Sequence, residues 1–117
     1  MTTRTDEYAT QSRELLEKAR QALEEGDLVQ ASEKLWGASA QMVKSVAEQR
    51  GWQHSSHRQL FQVVNRLAQD TGDLEMRSLF QIANSLHTNF YENWMTLEYI
   101  EDSVGPVQEF VGKLERV

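Results

Sequence analysis

Residues 22–40 read ALEEGDLVQASEKLWGASA, and how the chain passes Gly26 and Asp27 decides the fold. Upstream, Tyr8, Leu15, Leu16, Ala19, Ala22 and Leu23 recur at helical intervals, which places them on one stripe of an amphipathic helix over residues 5–25. Gly26 tolerates the left-handed conformation that ends a helix. Asp27 can accept the first free N–H groups of the next helix, and Gln30 three positions on completes a capping-box pattern. The stretch therefore predicts a tight helical hairpin.

Downstream, Leu28, Ala31, Leu35, Trp36, Met42, Val43 and Val46 continue the apolar spacing and predict a second helix over residues 28–49. Gly37 lies inside it, where glycine costs about 1 kcal/mol relative to alanine, so another backbone is expected to approach closely there. The segment RGWQHSSH, residues 50–57, breaks the pattern. Ser56 and Gln59 then form an S-x-x-Q capping box ahead of Leu60, Phe61, Val63, Val64, Leu67 and Ala68, a third helix over residues 57–69. In DTGD, residues 70–73, Asp73 is the expected cap of a fourth helix, whose stripe is Leu74, Leu79, Ile82, Ala83, Leu86, Phe90 and Trp94. Thr96 is the expected cap of a fifth, carrying Leu97, Ile100, Val104, Val107, Phe110, Val111 and Leu114. Gly105 and Pro106 weaken its middle, so a kink or break is expected near residues 103–106. The fold class is all-α: four or five antiparallel helices in an up-and-down bundle, one domain over residues 1–117.

Composition agrees. The chain is 39% hydrophobic and 26% charged, with four Phe, three Trp and three Tyr, enough apolar surface to offset the entropy of ordering. One Pro and six Gly leave long stretches of helix formers uninterrupted. No apolar run approaches the ~20 residues that span a bilayer, and MTTRTDEYATQ lacks the apolar core of a secretory signal, so a cytoplasmic location without membrane contact is expected. The absence of cysteine excludes disulfides, thiolate zinc sites and cysteine nucleophiles. A formal charge of −6 opposes broad affinity for nucleic acid and leaves room only for a localised basic patch.

Chemistry-bearing residues gather in two places. His54 and His57 are three apart and His87 could add a third imidazole, but no H-E-x-x-H or carboxylate at a diagnostic offset accompanies them, so neither a metal nor another cofactor is expected. His57 and Arg58 open the third helix, where free N–H groups and a planar guanidinium suit a phosphate. The second place is LHTNFYENW, residues 86–94. Leu86, Phe90 and Trp94 follow the core stripe, whereas Asn84, His87, Thr88 and Tyr91 lie on a neighbouring stripe that should face the bundle edge or a partner. The ligand-binding candidates are thus His57, Arg58, Asn84, His87 and Tyr91. No Ser-His-Asp order, paired-carboxylate motif, P-loop or G-x-G-x-x-G raises a catalytic reading.

The phrases ALEEGDLVQASEKLWGASAQMVKSVAEQRGW, SSHRQLF and LHTNFYENWMTLEYIED, in that order over residues 14–114, resemble the PaREP-type proteins, small helical proteins related to the HEPN superfamily. The resemblance implies an up-and-down bundle, commonly dimeric. Many HEPN domains are metal-independent ribonucleases with an Arg followed four to six residues on by a His, in a site shared across a dimer. Arg50 and His57 fit that spacing, with Gly51 where the motif has a polar residue, and are the catalytic candidates the resemblance implies. Chemically, His would move a proton and Arg would offset charge growing on phosphate. The sequence is read as a non-enzymatic HEPN-like binding module working as a homodimer, with Trp36, Trp52, Tyr91 and Trp94 as surplus aromatics for an interface. A HEPN-type ribonuclease or RNA- and nucleotide-binding protein is the alternative, and a toxin–antitoxin or nucleotidyltransferase partner subunit is a third.

Overall fold

The computed structural model describes residues 3–117. Five helices follow one another: α1 (Arg4–Glu24), α2 (Leu28–Arg50), α3 (His57–Thr71), α4 (Glu75–Glu92) and α5 (Leu97–Glu115). Among the described residues there is no strand, and the protein is an all-α helical bundle. Its radius of gyration, 13.6 Å, is that of a closely packed chain of this length. The central element is α2, which touches each of the other four helices. Its sequence explains this placement: Ala31, Leu35, Ala38, Ala40, Met42, Val43, Val46 and Ala47 are buried around most of its circumference, and Ser32, Ser39 and Ser45 are buried with them.

The α1–α2 hairpin forms as its turn residues dictate. Gly26 adopts φ 75°, and the Asp27 N–H donates back to the Ala22 carbonyl at 2.9 Å, closing the last turn of α1. The Asp27 carboxylate accepts from the Gln30 N–H at 3.1 Å. The reciprocal half of the expected capping box does not form, because the Asp27 N–H is already committed to Ala22. Across the hairpin, the Ser12 hydroxyl donates to the Ala38 carbonyl at 2.7 Å, and small residues bring the two helices close. What approaches Gly37 is a side chain, not a backbone: a Cβ there would lie 3.0 Å from Leu15 Cδ1.

Four further expectations change on contact with the structure. Asp73 does not cap α4. Leu74 occupies that position without a side-chain bond, and the Asp73 carboxylate instead accepts from Lys113 Nζ at 2.6 Å, pinning the α3–α4 turn to the end of α5. Thr96 stands at the N-cap of α5, but its hydroxyl makes no capping bond. Of the kink or break expected near Pro106, no break forms: α5 is helical throughout, and Pro106 leaves the Asp102 carbonyl without its usual donor. Trp94 also leaves the core stripe. It lies beyond the end of α4 and is 52% exposed, while Asn89 takes the buried position.

Candidate functional site

Three rings from three helices meet at one place. Trp36 of α2 and His87 of α4 stack with centroids 4.8 Å apart, Trp36 and His57 of α3 lie 5.3 Å apart, and the two imidazoles face each other at 5.5 Å with an interplanar angle of 26°. The group grows out of the core. Phe110 stacks on Phe80, Phe80 packs at a tilt against Trp36 and Phe61, and Phe61 at a tilt against His57. On the outer side the Tyr91 ring meets His87 edge-on at 5.4 Å. His57 and His87, thirty positions apart in the chain, thus share a cluster. His57 is exposed and His87 half-buried.

Local sequence sets these positions. The Ser56–Gln59 capping box forms in full, which fixes His57 as the first residue of α3. The Gln59 side chain also accepts from the Ser55 N–H at 2.8 Å, holding the chain on its approach. His87 and Tyr91 are four apart on α4 and therefore share a face. Burial, with the neighbouring His57 as a smaller cause, holds the His87 pKa below the ordinary value of 6.5, because an imidazolium there would lose water. His87 is consequently a neutral, polar ring at neutral pH.

The remaining candidates fall differently. Asn84 is half-buried one turn before His87, and its backbone carbonyl accepts from the Thr88 hydroxyl at 3.3 Å. Arg58 is exposed beside His57. The Arg50 guanidinium lies over the Trp52 ring at 5.3 Å, and no hydrogen bond, ion pair or ring contact joins it to His57 among the described residues. His54 stands apart as well: it bonds Glu48 at 2.8 Å and meets Tyr8 edge-on at 5.5 Å, holding the Glu48 carboxyl below the usual range. Face-stacked imidazoles keep their in-plane lone pairs side by side, so His57 and His87 do not converge on one ion in this arrangement. Among the described residues, no three His, Asp or Glu side chains gather as a metal set.

A second surface begins where the cluster ends. At the α4–α5 corner Asn93 takes a left-handed conformation, φ 50°, and a buried amide holds the turn. Asn89 Oδ1 accepts from the Trp94 N–H at 2.8 Å and the Met95 N–H at 2.7 Å, while its Nδ2 donates to Ser32 Oγ at 2.7 Å. This clamp holds out a strip of apolar side chains: Tyr91, Trp94, Leu97 and Tyr99 are 73%, 52%, 40% and 62% exposed. Trp94 and Tyr99 lie 6.3 Å apart, and Tyr91 leads back to His87. Tyr99 escapes sequence reasoning because it falls off the apolar stripe of α5, and Leu97 because it falls on it.

No helix among the described residues is long and apolar enough to cross a membrane. A comparison with curated proteins finds no match. Among solved structures, a protein of Sulfolobus solfataricus is similar over 99% of this chain and 97% of its own, with a TM-score of 0.76 and 22% identity, a likeness of fold. The model of the archaeal PaREP1/PaREP8 family matches residues 7–111. Nearly the whole bundle, including the ring cluster and the α4–α5 corner, falls within that match, and the chain belongs to the archaeal PaREP1/PaREP8 family.

Proposed function

We propose that this protein is a non-enzymatic, HEPN-like interaction module that forms a homodimer through the α4–α5 corner. The observation that carries the reading is the strip of Tyr91, Trp94, Leu97 and Tyr99, held rigidly by the buried Asn89. Large rings left in water are costly unless something covers them, and contiguous apolar patches of a few hundred Å² on small proteins mark interfaces. Four such side chains expose on the order of 400 Å², about half of what one partner contributes to a standard interface. A two-fold axis through the strip would pair it with itself, the commonest closed arrangement of identical chains. The test is light scattering behind size-exclusion chromatography on a Trp94→Ser, Tyr99→Ser double variant. A dimeric native protein and a folded, monomeric variant support the reading; an unchanged mass overturns it.

Metal-independent RNA cleavage is a second reading, favoured by the stacked His57 and His87 rings. Burial keeps His87 neutral, the state required of a general base, and Arg58 beside His57 is a source of positive charge for phosphate. Arg50 is drawn to Trp52 instead, so in this reading the charge-offsetting role passes to Arg58 and proton transfer rests with the two histidines. Cleavage lost in both His57→Ala and His87→Ala, and retained in Arg50→Ala, is the expected pattern. Cleavage that survives either histidine substitution rejects it.

A further inference from the structure

We propose that the protein carries a separate pocket for the phosphate of a nucleotide, between Trp52 of the α2–α3 connection and the face of α3 that bears Arg66. A cavity of about 220 Å³ opens there between Trp52, Gln53, Gln59, Gln62, Val63 and Arg66. The ring cluster contributes none of these residues.

Charge is distributed unevenly along the chain. Residues 49–69 contain no Asp or Glu, but hold Arg50, Arg58 and Arg66 together with His54 and His57, in a protein whose net charge is −6. Among the described residues Arg50, Arg58 and Arg66 pair with no carboxylate, as is also true of Lys18, Lys34, Lys44, Arg77 and Arg116, whereas Arg4, Arg13, Arg20 and Lys113 do pair. Two of these cations are gathered on one indole, Arg66 at 4.2 Å and Arg50 at 5.3 Å from the Trp52 ring. Cation–π contact orients a guanidinium without consuming its N–H donors.

The amides around the pocket are arranged to donate. Gln59 Oε1 is occupied by the Ser55 and Ser56 N–H groups, and Gln59 Nε2 donates to Gln53 Oε1 at 3.0 Å. With its carbonyl thus engaged, Gln53 offers its NH₂ group. The Arg66 guanidinium and a fixed amide donor on the rim match an acceptor-only, anionic group, and phosphate fits a planar fork best. The Trp52 and Val63 walls supply an apolar surface beside it, as a base or ribose attached to that phosphate requires. A free nucleotide and a single RNA strand share this chemistry.

The test follows the Trp52 indole N–H by NMR, its resonance identified by Trp52→Phe, during titration with inorganic phosphate, AMP and an oligouridine. Saturable shifts with AMP or the oligouridine support the proposal, provided that Arg66→Gln weakens binding at least tenfold while the fold is unchanged by circular dichroism. Comparable affinity for AMP and oligouridine assigns a free nucleotide. Much tighter oligouridine binding, with a salt dependence that falls by about one phosphate contact in Arg66→Gln, assigns RNA. No shift with any probe at millimolar concentration, shifts with inorganic phosphate alone, or undiminished binding in Arg66→Gln would overturn the proposal.

Discussion

Replacing Asn89 by alanine should cost about 3 kcal/mol of stability, and the figure follows from three bonds. Asn89 is fully buried. Its Oδ1 is the acceptor for the Met95 N–H, which is buried, and the Trp94 N–H, which is partly so. A buried donor left unpaired costs about 1–3 kcal/mol, and a partly hydrated one less. Loss of the Nδ2 bond to Ser32 adds about 1 kcal/mol. Set against a total stability of about 5–15 kcal/mol, the change is large and easily measured. Urea unfolding followed by circular dichroism should show a lower midpoint with an unchanged slope. Asn89→Asp supplies a control. It keeps both acceptor positions but places a charge in a buried site, so its deficit relative to the native protein should shrink as pH falls and the new carboxyl takes up a proton. A loss below about 1 kcal/mol in Asn89→Ala would refute the account of the corner as clamped by this side chain.

Substitutions at three other positions have defined outcomes. Gly37→Ala gains about 1 kcal/mol of helix propensity but must displace the flexible end of Leu15, so stability should change little; Gly37→Val, with two further carbons against Leu15, should lose about 1–3 kcal/mol by the same urea assay. Pro106→Ala restores a donor to the Asp102 carbonyl in an unbroken helix and should raise the melting temperature, and a fall would contradict the reading of α5. His87 is harder to protonate folded than unfolded, so it contributes no pH dependence above its ordinary value of 6.5 and a loss of stability as pH drops below it; His87→Gln should lose less between pH 8 and pH 5 than the native protein.

Much of the bundle is legible in the sequence because its signals are local. The Ser56–Gln59 box and the Gly26–Asp27 turn act over three or four residues, and apolar spacing identifies each helix. A further box escaped: Thr3 and Asp6 cap α1 reciprocally, a T-x-x-D signal present in the sequence. Errors arise where a side chain finds a distant partner. Asp73 prefers Lys113, forty positions away, to the N–H groups of its own helix. Asn89 reads as one polar residue in an aromatic segment until Ser32 and the following turn surround it. Its clamp ends α4 before Trp94, which periodicity alone assigned to the core. The meeting of Trp36, His57 and His87 depends on how α2, α3 and α4 pack, and no spacing encodes that. The Arg50–His57 spacing is visible in the sequence, but in the fold Trp52, two residues after Arg50, takes its guanidinium.

Sedimentation equilibrium of the native protein at micromolar concentration tests the central claim most directly. The exposed strip at the α4–α5 corner predicts a mass of about twice the 13.5 kDa of one chain, through self-association of an apolar face. A single species of 13.5 kDa across that range would contradict it.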